Sequence, residues 1–460
     1  MSKFGNSNRR DFLRWASAGT LAASMSPVIL TSRTSAAAQG FSANDKINIG
    51  CIGMGIQAFS DLNAALAVPG TQLVAACDLY DGRLTRAREV FGKDLFITKD
   101  YREVLNRQDV DMVIVVVPDH WHQRIAIDAL KAGKHVYCEK PMVQKIEQGA
   151  DLIKAVKESG KCFQVGSQPV SSTVTEKARQ LFQQGAIGKL NMVDILISRN
   201  SAFGAWQYPI PTDASTETVD WETFVEPTNK IPFDADRFFR WRKYWDYGTG
   251  VAGDMYVHRF TSLHRIIDSI GPVKGMATGG VRFWTEKREA PDMILGLYEY
   301  PETESHPEFT LQLGANFADG GHGNTFQLIG DEGIMEVGYG VKVTKNLRPR
   351  ETEEMAKRAL SNYSSAEQDR WMAKWREEHQ GPRERAKENL NGTIEYVPPR
   401  GYNSHTDHFL VLYNAMRGNG QILEDAEYGL RAAAPALMAN LCYKQDEIIK
   451  WDPQAMKLVG

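Results

Sequence analysis

The chain has 460 residues, a formal net charge of −3 and 42% hydrophobic residues. That length can bury a large core and predicts two domains, while Lys and Arg scattered without striping give no support to a nucleic-acid surface. Beyond the amino terminus no apolar stretch is long enough to span a bilayer, and the five cysteines lack metal-ligand spacing.

The amino terminus is set apart from the fold. Lys3, Arg9, Arg10 and Arg14 form a positive region, an Ala-, Ser- and Gly-rich stretch runs from Trp15 to Leu30, and Ala36-Ala37-Ala38 offers a cleavage site. The adjacent arginines of NRRDFLR, followed by Phe12 and Leu13, have the pattern of a twin-arginine export signal; the plainer alternative is a basic tail. Residues 1–43 are therefore expected to be leader and linker. The translocase is then a partner, and the destination is the periplasm or another extracytoplasmic space. Such export carries folded protein, so any cofactor would be loaded beforehand and held tightly.

Residues 44–165 alternate short apolar runs with helical patterns, which predicts a parallel sheet covered on both faces. Ile47–Ile52 is its first strand. Gly53, Gly55 and Ala58 then give the G-x-G-x-x-A spacing of a dinucleotide turn, with Ile56 and Gln57 at the helix start. The segment TQLVAACD ends in Asp78, where a carboxylate for ribose hydroxyls belongs. Helices are predicted over 59–67, 82–91 and 101–105, a central strand over 112–117, a helix over 123–132 closed by Gly133, and a strand over 135–138. A helix over 146–159 and a strand over 161–166 complete the domain. Asp78, the turn Pro118-Asp119-His120-Trp121-His122 and Glu139-Lys140-Pro141 all fall at carboxyl ends of strands, facing the ligand crevice.

Residues 166–344 change rhythm. After a helix at 175–184, strands are expected over 189–197, 273–281, 293–300, 308–317, 325–329 and 334–337, forming a large, mostly antiparallel sheet in an α+β domain. Its second face is open to a partner subunit, so a homodimer or homotetramer is expected. Between Ser201 and Tyr247, aromatic and basic residues alternate, among them Trp241, Arg242 and Tyr244. These suit either a carbohydrate or the anchoring of an irregular loop. Residues 345–400 form a charged helical insertion in which Trp371 and Trp375 share a helix face, as a flap, a subunit contact or a solvated helix docked by both. Residues 401–460 are read as terminal helices, over 406–417 and 426–441.

Two groups carry candidate chemistry. Lys140, fixed by Pro141, can donate to the oxygen of an alcohol or ketone, or can form a structural pair with Glu139. Asp254 and His258 lie four apart in a probable helix, on one face, either as a substrate-orienting acid with a proton-exchanging imidazole or as a capping and packing arrangement. His120 and His122 lack a third ligand for a metal; His120 is expected to pack and His122 to start a helix beside the cofactor. No metal site is expected.

The combination of Gly53-Met54-Gly55-Ile56-Gln57-Ala58, the Pro118–His122 turn and Ala132-Gly133-Lys134-His135-Val136-Tyr137-Cys138-Glu139-Lys140-Pro141 resembles the glucose-fructose oxidoreductase, inositol dehydrogenase and rhizopine-catabolism (Gfo/Idh/MocA) family. The resemblance covers roughly 44–340 and, more loosely, the terminal helices. It implies a Rossmann domain binding NAD through Gly53, Gly55, Ile56, Gln57, Asp78, Pro118, His122, Glu139 and Lys140. It further implies catalysis by Lys140 and His258 assisted by Asp254, and a sugar or polyol held by Lys140, Trp241, Arg242, Tyr244, Asp254 and His258. The implied reaction is hydride transfer at a secondary carbinol or ketone. The alternative is a glycosidase that oxidises transiently, eliminates, adds water and reduces again. The charged insertion at 345–400 departs from minimal members of the family, and retention of the Glu-Lys-Pro triplet favours the oxidoreductase.

Overall fold

The computed structural model describes residues 46–321, 323–345, 352–378 and 392–459; the expected twin-arginine leader lies outside them. Among the described residues the strands form two sheets.

The first sheet is wholly parallel. Its strands are β1 (Ile47–Ile52), β2 (Thr71–Cys77), β3 (Phe96–Thr98), β4 (Met112–Val115), β5 (His135–Glu139) and β6 (Phe163–Gly166), in the order β3-β2-β1-β4-β5-β6. β4 is buried at every position, which explains its unbroken apolar run: helices cover both faces. The order reverses between β1 and β4, so the carboxyl ends of these neighbours open onto a crevice. The helix after β4 spans Asp119–Lys131 and begins four residues earlier than its periodicity predicts, because Pro118 supplies an extended residue that the helix follows directly. Gly133, at φ 76°, closes it as expected.

The second sheet contains β7 (Leu190–Ser198), β8 (Lys274–Gly280), β9 (Met293–Tyr300), β10 (Phe309–Asn316), β11 (Thr325–Gly330), β12 (Gly333–Val337), β13 (Val341–Lys345), β14 (Thr393–Tyr396), β15 (Ile449–Asp452) and β16 (Lys457–Val459). Their order is β14-β13-β12-β11-β7-β10-β9-β8-β15-β16. Only β7 and β10 pair in parallel. In β9 the residues alternate: Ile294, Tyr298 and Tyr300 are buried while Leu295, Leu297 and Glu299 are exposed, the pattern of a sheet covered on one face. The helices Thr173–Gln183 and Val257–Ile267 cover that face.

Three expectations need correction. The insertion is not solely helical, since Thr393–Tyr396 pairs with β13 as an edge strand. Nor is the carboxy-terminal segment only helices: β15 joins β8 and carries β16, so the last residues complete the sheet. The two tryptophans do not dock the insertion together. Trp371 is 41% exposed, whereas Trp375 packs on the small cluster of Ala356, Leu360 and Met372. The long helix Ala426–Gln445 contributes to the cores of both layers, through Leu430 and Met438 on one side and Ala432 and Ala436 on the other, and so fixes the crevice between them.

Candidate active site

At the end of β1 the chain turns at Gly53, whose φ is 94° and where an added Cβ would stand 2.1 Å from the Val116 carbonyl oxygen. Only glycine fits there. Gly55 instead faces open space, with nothing within 4 Å of a Cβ position, and it caps the helix Ile56–Leu66 without any side-chain hydrogen bond. The first-turn N–H groups are thereby left for an anion, which fits a diphosphate. Ala58 is fully buried against the sheet. Asp78 lines the same cavity, as expected, and also braces it. Its carboxylate accepts from the N–H groups of Met54 (2.8 Å) and Tyr80 (2.9 Å), and Arg83 lies 3.5 Å away.

The cavity measures about 400 Å³ and runs from Gly53, Gly55, Ile56, Gln57 and Asp78 past Pro118 and His122 to Glu139, Lys140, Trp241 and Arg242. The residues expected to hold NAD are therefore together. His120 is not among them: its ring nitrogens meet the carbonyls of Phe224 and Tyr247, and burial pushes it down to about 4. His122 is also neutral, pushed to about 4 by burial, with Nδ1 2.7 Å from the Pro141 carbonyl oxygen and Nε2 buried without a partner. A residue missed in the sequence, Asp119, pins the second layer to the first. Its carboxylate accepts from the Thr249 N–H (2.9 Å) and hydroxyl (2.7 Å), while Asn440 donates to the Thr249 carbonyl. Its place at a helix start following a strand was the available signal.

At the far end, the Lys140 ammonium does not pair with the Glu139 carboxylate, which accepts from Lys140 only through its backbone N–H (3.3 Å). Its Nζ donates to Oδ1 (2.7 Å) and to the backbone oxygen (2.8 Å) of Asp254, and Arg242 Nε lies 3.3 Å from the same Oδ1. Burial would raise the Asp254 carboxyl, but the charges of Lys140 and Arg242 reverse this and hold it well below the usual carboxylate range. Glu139 accepts from Gln168 (2.7 Å) and is pushed up to about 7 by burial. Asp254 lies in a π-helical turn, Ala252–Tyr256, that leads into the helix Val257–Ile267. The expected single α-helical face is thus corrected: the wider turn changes the angle between positions 254 and 258. His258 Nδ1 is buried without a hydrogen-bond partner, and burial, then the Lys140 ammonium, lowers its pKa well below 6.5. Its imidazole is thus held in the neutral form, and is a weaker base than an ordinary histidine.

Tyr244 does not reach the cavity. Its hydroxyl donates to Asp236 inside an aromatic cluster with Trp221, Phe224 and Phe238, so its expected substrate contact is replaced by a packing role. That cluster belongs largely to a strap, residues 208–247, which contributes Tyr208, Pro209, Pro211, Phe224, Phe238 and Phe239 to the cavity wall. The strap is stitched to the first layer. Tyr80 pairs with Val219 and donates to Asp213 (2.6 Å), Lys99 reaches the Thr218 carbonyl, and Trp121 donates to Phe224. Arg83 lies over Phe238 and Phe239. The anchoring expected of this segment is thus found, and several of its residues line the cavity. Among the described residues no cluster of three His, Cys, Asp or Glu is placed to hold a metal, and no helix is long and apolar enough to cross a membrane. The five cysteines are free.

Residues 47–167 match the family model described as an oxidoreductase family with an NAD-binding Rossmann fold. An alpha-N-acetylgalactosaminidase from Shewanella oneidensis is 30% identical over 175 residues, which is 34% of this chain and 38% of that protein. A glycosyl hydrolase family 109 protein from Shewanella sp. strain ANA-3 is 34% identical over 117 residues, or 24% of this chain and 26% of the relative. The chain thus spans well under half the length of these curated relatives. Among solved structures, a levoglucosan dehydrogenase in complex with NADH and levoglucosan superposes with a TM-score of 0.62 at 15% identity, covering 88% of this chain and 99% of that one. An aldose-aldose oxidoreductase from Caulobacter crescentus gives 0.61 at 16%, with the same coverage; both likenesses concern the fold. On the glycine turn, the crevice and these matches together, residues 47–167 form an NAD-binding Rossmann domain similar to that of the matched oxidoreductase family.

Proposed function

We propose that the protein is an NAD-dependent enzyme acting on a sugar carbinol at the end of the cavity, and that it uses this chemistry to cleave a glycoside without net redox change. The convergence of Lys140, Asp254 and Arg242 on one point, with a neutral His258 beside it, carries the first part. NAD, when bound, supplies the hydride acceptor. Lys140 donates to the carbinol oxygen and stabilises its developing negative charge. His258 accepts the hydroxyl proton, which its neutral imidazole has room for. Asp254 holds the ammonium in place.

One observation favours redox-neutral cleavage over the net oxidoreductase that the sequence suggested: the curated relatives that match around the nucleotide-binding part are glycosidases. The strap tied across the cavity suits a cofactor that stays resident, which both readings allow, since neither cleavage nor sugar-to-sugar hydride transfer consumes it. The second reading, net oxidation or reduction of a sugar, is favoured by the retained Glu139-Lys140-Pro141 triplet and its ion pair to Asp254. NAD-loaded protein mixed with nitrophenyl glycosides, with no added nucleotide, decides between them. Aglycone released over many turnovers with unchanged absorbance at the end supports cleavage. A single-turnover rise of the reduced nucleotide with free sugars, and no aglycone release, replaces it by the oxidoreductase. Neither signal with a broad panel sinks both. We further propose, from the arginine pair Arg9-Arg10 alone, that the enzyme is exported folded through the twin-arginine translocase to the periplasm or another extracytoplasmic space, and cell fractionation tests this.

A further inference from the structure

At the reactive end one cation is bonded along only one of its edges. Lys140, Arg242 and, further out, Arg199 all act on Asp254, the carboxylate to which both Lys140 and Arg242 are bonded. Lys140 and Asp254 are almost enclosed, with side chains 10% and 11% exposed. Asp119 and Glu139 also act on these cations, but burial pushes them up to about 6 and about 7, and their carboxylates are committed to Thr249 and to Gln168. Among the described residues no acid is bonded to the terminal NH₂ groups of Arg242, and a charged edge without a partner where water is largely displaced is costly.

Arg242 is held so that this edge stays available. Its guanidinium is stacked on Trp241, 4.2 Å from the ring centroid, and Nε is fixed on Asp254. Among the described residues its two terminal NH₂ groups have no hydrogen-bond partner, and the side chain lines the cavity beside Lys140. A planar fork held by its stem and one edge, with the other edge free, matches a carboxylate or sulfate bidentately. The phosphates of the dinucleotide have their own donors at Gly55 and the first turn of the following helix.

Resting on the sugar reading above, we infer that the substrate is an acidic sugar whose carboxylate or sulfate group sits on Arg242, next to the carbinol held by Lys140. The test uses the NAD-loaded full chain and matched pairs, D-glucuronate against D-glucose and D-galacturonate against D-galactose. Binding is followed by calorimetry and by the fluorescence of Trp241. At least one acid should bind on the order of tenfold or more tightly than its parent hexose, on the scale of a charge-assisted pair, and the gap should narrow as salt rises. Arg242→Gln should bring the two sugars level while nucleotide content is unchanged, and Arg242→Lys should restore part of the gap. Hexoses binding as tightly as their acids overturn the inference and leave the sugar reading standing. Loss of nucleotide from Arg242→Gln, with the acid preference kept, assigns the guanidinium to the cofactor and also overturns it. If no sugar of either kind binds, the sugar reading falls and this inference with it.

Discussion

Lys140 and Asp61 illustrate two ways in which one buried charge governs the site. Lys140 touches the Asp254 carboxylate at 2.7 Å, so replacing it with Met removes a transition-state donor without disturbing the glycine turn. Turnover should fall about 100-fold or more, measured on glycosides or sugars, with nucleotide still bound. Asp61 is fully buried behind the turn and accepts from Gln57 (2.9 Å). Burial, and then the charge of Glu139, raises its pKa. The folded protein thus keeps a proton that the unfolded chain releases above about pH 4. Its contribution to stability is therefore complete below that pH and declines as pH rises toward the folded pKa. Asp61→Asn should make the melting temperature fall more steeply than wild type on acidification from pH 7 to pH 5; parallel curves would remove Asp61 from this account. Lys140 was legible in the sequence because a lysine between Glu139 and Pro141 at a strand end is a local pattern. Asp61 was not, because nothing local tells a buried helix carboxylate from a solvated one.

Among the elements, the strap and the strand β6 matter most. The strap meets the first layer through Tyr80, Lys99 and Trp121, each bond contributing about 1 kcal/mol. Combining Tyr80→Phe with Lys99→Ala should speed nucleotide loss about tenfold or more during dialysis, read from the absorbance of the filtrate, with activity restored by added NAD. An unchanged rate would show that the strap does not retain the cofactor. In β6, a Cβ at Gly166 would stand 2.5 Å from Glu139 Oε1. Gly166→Ala should therefore cost about 1–3 kcal/mol, as overpacking does, seen in the denaturant midpoint. The strands with clear alternation or continuous apolar runs were found from the sequence nearly to the residue, β9 among them. The short edge strands β14 and β16 were missed, since runs of four and three residues with exposed side chains carry little periodicity.

For the whole molecule, the outward face of the large sheet presents Met276, Leu295 and Leu297, each more than 40% exposed, with Met276 directly opposite Leu297 on the adjacent strand. We propose a homo-oligomer that buries this face. Leu295→Glu with Leu297→Glu should convert it to monomer in light scattering, whereas a wild-type monomer would dispose of the proposal. The sequence by itself determined the nucleotide turn, the parallel layer and the Glu139-Lys140-Pro141 corner, because glycine conformations, apolar periodicity and strand ends are written within a few neighbouring residues. Only the tertiary structure decided that Lys140 meets Asp254 across 114 positions of chain, that Tyr244 packs while Arg242 lines the cavity, and that the histidines near the site are neutral. Those outcomes depend on burial and on charges brought together from distant segments, which no local pattern encodes.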